Sequence, residues 1–164
     1  MRLNALRSRA IRLLARREHT RAELANKLAA HGTQEEINAV IAELQACYLQ
    51  SDARFAESYV RSQAPRLGIL RLRHNMLTKG LDRELVESLL VAADMPDDLV
   101  RARSLWSRRF GAVPANPKEW ARQARFLQAR GFASDTVRRL LKDPLGGVEA
   151  PLVEEKFSSG EEGA

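Results

Sequence analysis

The stretch ARFLQARGF at residues 124–132, followed by VRRLL at 137–141, decides how this chain folds. Apolar residues recur there at helical spacing: Ala124 and Leu127, then Val137, Leu140 and Leu141. Gly131 separates the two runs and directly follows Arg130. Glycine adopts the left-handed conformation that closes a helix, and a cation is favoured in the last turn. The stretch therefore reads as helix, turn, helix. Arg125, Arg130, Arg138 and Arg139 fill the intervening positions, with few carboxylates beside them. So much fixed positive charge needs a reason.

The same punctuation occurs twice more. Gly32 follows His31 and Gly80 follows Lys79, so the three glycines lie 48 and 51 residues apart. Leu28, Met76 and Leu127 each stand four residues before one of them. An apolar cluster follows each: Ile37, Val40 and Ile41; Leu85, Val86 and Leu89; Val137, Leu140 and Leu141. This is a repeat of roughly fifty residues. Thr20 with Glu23 and Thr33 with Glu36 form capping boxes, and Asp82 suits the cap before LVESLL. In Asn116-Pro117-Lys118-Glu119, Asn suits the N-cap, Pro the first helical position and Glu the third.

Each repeat then holds three helices. Their expected spans are 4–17, 21–31 and 34–48; 52–64, 69–79 and 83–92; 97–110, 118–130 and 135–142. The expected units are 1–50, 51–94 and 95–143, with an acidic, disordered tail at 144–164. No alternating segment is long enough for a strand, so the fold class is all-α.

Composition agrees. Apolar residues make up 45% of the 164 and aromatics only 5%, which favours helix over sheet. The net charge of +6 and a pI near 10.1 point to an anionic partner, nucleic acid first. Charge is also segregated. Residues 1–31 carry +6, 32–60 carry −4, 61–80 carry +5, 81–100 carry −5, 101–142 carry +9 and 143–164 carry −5. A lone cysteine, Cys47, forms no intrachain disulfide and is expected as a buried structural thiol in a reducing cytoplasm. The N-terminus is basic without an apolar run, so neither a signal peptide nor a membrane span is expected.

The sequence resembles the RecX family, bacterial regulators of the RecA recombinase. In the first unit the matching residues are Leu13-Leu14-Ala15-Arg16-Arg17-Glu18-His19-Thr20, with Glu23-Leu24 and Lys27-Leu28. In the second they are Ser51-Asp52-Ala53-Arg54-Phe55-Ala56, Tyr59-Val60, Arg66-Leu67-Gly68 and Lys79-Gly80-Leu81. In the third they are Arg109-Phe110-Gly111, Arg125-Phe126-Leu127 and Arg130-Gly131-Phe132. Ala46-Cys47-Tyr48 departs from the pattern, because the family usually has a glycine at that turn. The resemblance implies three tandem three-helix repeats in an elongated, curved right-handed array. It also implies binding to the RecA nucleoprotein filament and inhibition of its ATPase, strand-exchange and coprotease activities. Single- and double-stranded DNA are further expected partners.

Stripe geometry picks out the contact residues. Arg9, Arg12 and Arg16 share one stripe of the first helix, and Lys118, Arg122 and Arg125 share another in the third unit. Arg71, Arg73, Lys79 and Arg130 complete the expected basic surface. A planar guanidinium grips phosphate or carboxylate through two hydrogen bonds. One such stripe is ordinarily a solvated face; three basic blocks in register argue for binding. Trp106, Phe110, Trp120 and Phe126 can be read as stacking platforms for single-stranded bases, but large aromatics at helical spacing normally pack inward and all four are expected in the core, Phe126 lying off the main stripe. Phe55 and Tyr59 read as packing residues joining the first unit to the second.

The catalytic inventory is thin. His19, His31 and His74 are scattered, and no phosphate-binding glycine loop is present. A non-enzymatic, monomeric protein without cofactor or metal is expected. Two other readings stay open: a helix-turn-helix transcriptional regulator, which needs a distinct recognition helix, and a helical scaffold that binds only proteins.

Overall fold

The computed structural model describes residues 2–144; the expectations for 145–164 lie outside the described residues. Among the described residues there are nine helices and no strand. Unit one holds α1 (Arg2–Leu14), α2 (Arg21–Leu28) and α3 (Gln34–Ala46). Unit two holds α4 (Asp52–Gln63), α5 (Ile69–Thr78) and α6 (Arg83–Ala92). Unit three holds α7 (Asp98–Arg109), α8 (Pro117–Ala129) and α9 (Ser134–Lys142).

The capping residues act as the sequence requires. Thr20 and Thr33 each accept a bond from the amide three residues on, and Glu23 and Glu36 reach back to the cap amide. Asn116 accepts from the Glu119 amide at 2.9 Å, with Pro117 opening α8. The first helix stops earlier than its periodicity predicts. It ends at Leu14 and tightens into a final turn, with the Arg16 amide donating to the Leu13 carbonyl at 3.1 Å.

Each unit closes its own core. Leu6, Leu24, Leu28, Ile37, Ile41 and Leu44 fill the first. Phe55, Val60, Leu72, Met76, Val86 and Leu90 fill the second. Trp106, Leu127, Phe132, Val137 and Leu140 fill the third. Every helix pair in extensive contact lies within one unit. Phe55 and Tyr59 follow this rule. Their rings stack 6.0 Å apart inside the second unit's core instead of joining two units.

The middle helices of the three units run head to tail. The end of α8 meets the start of α5, and the end of α5 meets the start of α2. Opposite ends of the helix dipole thus face each other. Gly68, the N-cap of α5, offers no side chain. Its amide donates instead to the Arg130 carbonyl at 2.8 Å, and the Leu70 amide donates to the Gly131 carbonyl at 3.2 Å. One helix end therefore satisfies the unpaired groups of the next. At the other junction, the Thr20 hydroxyl donates to the Lys79 carbonyl at 2.8 Å.

Gly80 (φ +84°) and Gly131 (φ +90°) take the left-handed conformation expected of them. They are also pressed against the preceding unit. A Cβ on Gly131 would lie 2.2 Å from that of Arg71, and one on Gly80 would lie 2.4 Å from that of Ala22. Gly32 differs, because its φ is not positive. It packs inward, where a Cβ would meet Leu6 Cδ1 at 2.5 Å.

Candidate functional site

The third unit concentrates the cations. Arg109 ends α7 and Phe110 caps it, while Arg122, Arg125 and Phe126 project from α8 and Arg130 caps that helix. Phe110 and Phe126 meet edge to face, centroids 5.3 Å apart. The Arg109 guanidinium lies 5.5 Å from the Phe110 centroid and 5.8 Å from that of Phe126. Arg122 sits 5.6 Å from Phe110, and Arg130 sits 5.2 Å from Phe126. Arg109, Arg122, Arg125 and the two rings line an open cleft of about 470 Å3.

Two buried side chains fix this geometry. Trp106 Nε1 donates to Gln123 Oε1 at 2.7 Å, bolting α7 to α8. Gln123 Nε2 donates to the Ala112 carbonyl at 3.1 Å, tying the 110–116 linker to the same point. Glu119 is occupied by the Ala115 amide at 2.9 Å. Among the described residues, no carboxylate pairs with Arg109, Arg122, Arg125 or Arg130. The rings hold the guanidinium planes by their quadrupole. They do not neutralise the charge, so four like charges remain close together until an anion relieves them.

The other expected residues are placed differently. Arg9, Arg12 and Arg16 are exposed on α1 and the turn after it. Arg71 is exposed, its backbone packed against Gly131. Arg73 is held by Glu87 through two bonds, 2.6 and 3.0 Å. That bond raises the Arg73 pKa and lowers that of Glu87. Lys79 bonds Glu23 at 3.0 Å and lies 5.9 Å from the Phe55 ring. The structure thus gathers Arg122, Arg125 and Arg130, and commits Arg73 and Lys79 to internal pairs.

Arg109 escaped the stripe analysis because it lies at a helix end. A sequence signal existed: Arg109-Phe110 and Arg125-Phe126 repeat the same dipeptide within one unit. Trp120 is not core; it is 38% exposed, one turn before Ala124 where the buried stripe begins. Cys47 is exposed, not buried, because it caps α3 at the chain's surface. A second groove, about 930 Å3 between α4, α6 and α7, has mostly aliphatic walls and none of the expected cations.

The fold is that of a tandem helical-repeat protein, three units of three helices, with an unpaired arginine–phenylalanine cleft on the third. Comparison with known proteins gives the particular family. Three family models match: the first RecX three-helix domain at 7–44, the second at 51–90 and the third at 96–141. The chain belongs to the RecX family.

Its relatives include the "Regulatory protein RecX" of Leptothrix cholodnii, 48% identical over 139 residues, covering 84% of this chain and 88% of that one. The protein of the same name from Chromobacterium violaceum is 40% identical over 152 residues, covering 92% and 96%. The crystal structure of RecX from Lactobacillus salivarius shares the fold, with a TM-score of 0.72, 21% identity and coverage of 87% and 96%. The all-α, three-by-three architecture expected from the sequence is therefore the one observed. No helix among the described residues is long and apolar enough to cross a membrane.

Proposed function

We propose that this chain is a non-enzymatic, cytoplasmic regulator of RecA. It binds the RecA nucleoprotein filament as a monomer and restrains its recombinase, ATPase and coprotease activities. Binding lies along the filament groove or at a growing end. Direct contact with single- and double-stranded DNA is weak and independent of sequence, since phosphate contacts position a protein without reading bases.

The observation that carries this reading is the set of unpaired guanidinium groups on the third unit, with Arg9, Arg12, Arg16 and Arg71 as further exposed cations. Arg73 and Lys79 join such a surface only by giving up Glu87 and Glu23. Units at 1–50, 51–94 and 95–143 suit a repeating target, because each contact raises the effective concentration of the next.

The test is RecA ATPase on single-stranded DNA. Strong inhibition at substoichiometric protein is the expected result. Inhibition only when the protein saturates the DNA would reduce the role to competition, and no inhibition would end the proposal.

A further inference from the structure

The cleft between Phe110 and Phe126 has features that a simple phosphate-binding face does not need. A basic face can be built from solvated arginines alone. Here the Arg109, Arg122 and Arg130 guanidinium groups lie 5.2–5.8 Å from the centroids of two aromatic rings, and those rings with Arg109, Arg122 and Arg125 line a concavity of about 470 Å3. A guanidinium beside a ring keeps a planar face and a fork of N–H donors at its edge. The face stacks on a flat conjugated ring, and the fork holds a phosphodiester. One cleft therefore presents both chemistries that a nucleotide carries.

We propose that the cleft lined by Arg109, Phe110, Arg122, Arg125 and Phe126, with Arg130 against the Phe126 ring beside it, is a subsite for one unstacked nucleotide of a single strand. The edges of Arg122 and Arg125 hold its phosphodiester. The base lies against the column of rings and guanidinium planes around Phe126. In a duplex the bases are stacked and paired, so only the backbone reaches the cleft. The site therefore favours single strands over duplex, and a strand with bases over a bare backbone. The Trp106–Gln123–Ala112 bonds hold both walls in place beforehand. This rests on the polyanion-binding reading above and adds the class of ligand.

The experiment uses the full chain with no RecA, so that it is independent of the ATPase test. Fluorescence anisotropy is measured with a short labelled oligothymidylate, an abasic strand of equal length and a duplex. The oligothymidylate should bind about tenfold more tightly than the abasic strand, the size expected for one stacked base. Phe126→Leu keeps apolar volume but removes the ring, and should erase that advantage while salt-sensitive backbone binding persists. Arg125→Gln, at an exposed position, should weaken both strands and reduce the salt slope by about 0.7, the value for one single-strand phosphate. Equal affinity for the abasic strand and the oligothymidylate would overturn the proposal. So would polyglutamate displacing the strand as well, charge for charge, as unlabelled oligothymidylate does, since that marks a surface for acidic protein.

Discussion

The two junctions between units share a plan and differ in material. Between units one and two, side chains make the joint. Lys79 pairs with Glu23, Arg54 pairs with Glu18 at 2.9 Å, and the Arg21 amide donates to Asp52 at 2.8 Å. Between units two and three, backbone meets backbone at Gly68 and Leu70. A buried guanidinium completes it: Arg101 donates to the Ala64 carbonyl at 2.7 Å, to the Leu67 carbonyl at 2.5 Å and to Asp98. Lys79 and Arg130 occupy the same place in their repeats, each just before the left-handed glycine. The first has its charge taken up by Glu23, whereas the second junction closes through main chain and leaves Arg130 against the Phe126 ring beside the cleft. Repeats with one architecture can thus assign the same position to cohesion in one unit and to binding in the next.

The largest expected effect separates the joints directly. Arg101 is 6% exposed and satisfies two carbonyls of unit two. Arg101→Ala strands those carbonyls and leaves the Asp98 carboxylate with only the Ile69 amide, and should cost about 3–5 kcal/mol, the range for breaking a buried pair from one side. Lys79→Ala acts on a partly exposed pair and should cost no more than about 1 kcal/mol. Urea unfolding of the two variants measures the difference; equal losses would dissolve the contrast.

A smaller effect comes from the glycines. Alanine at either Gly80 or Gly131 pays for a left-handed φ, about 1–2 kcal/mol. At Gly131 the new Cβ also meets the Arg71 backbone nitrogen at 2.4 Å, whereas at Gly80 it meets the Ala22 side chain. Gly131→Ala should therefore be the more damaging, read as the larger fall in Tm. A larger fall for Gly80→Ala would show that the first joint is the more rigid.

Acid should loosen the first joint by two groups. Burial lowers the His19 pKa below its ordinary 6.5. The unfolded chain then binds the proton more readily, so stability is complete above 6.5 and declines as pH falls toward the lowered value. Glu23 is also lowered: burial works to raise it, but bonds from Lys79, Arg17 and the Thr20 amide prevail. Its contribution is present above its ordinary 4.5 and is lost as pH falls through the depressed value. Both losses run in the same direction. Glu23→Gln should flatten the lower step and leave the upper one. Amide exchange followed by pH should show it first around Thr20 and Lys79; uniform loosening of both junctions would refute the assignment.

These contrasts show what the sequence could and could not reveal. Helices and cores were legible because Thr20–Glu23, Thr33–Glu36 and Asn116–Pro117 act locally, within one turn of the chain. Gly80 and Gly131 were legible for the same reason. Pairing was not. Glu23 lies 56 residues from Lys79, and Glu87 lies 14 from Arg73 across a helix turn, so no stripe reveals which cations are already committed. The cleft was half legible. Arg122 and Arg125 follow from helix periodicity, while Arg109 joins them only when α7 and α8 pack. Trp120 was misplaced because periodicity gives an angle around a helix but not where the neighbouring helix stops.

The smallest effect concerns the link that leads into the first joint. Tyr48 stands at φ +58°, a left-handed conformation that favours glycine, and the residue is 82% exposed. Its ring therefore contributes little packing to offset the strained backbone. The turn is held anyway, because the Leu49 and Gln50 amides both donate to the Leu44 carbonyl. Gln50, 2% exposed, bridges the His19 carbonyl and Asp52 across the joint. Tyr48→Gly removes a left-handed penalty of about 1–2 kcal/mol and adds chain entropy worth about 0.5–1 kcal/mol to the unfolded state. The variant should be more stable by roughly 0–1.5 kcal/mol, seen as a small rise in urea midpoint at unchanged slope. The link between units two and three has no non-glycine residue with positive φ. A destabilised Tyr48→Gly would mean that the ring itself contributes to the first joint.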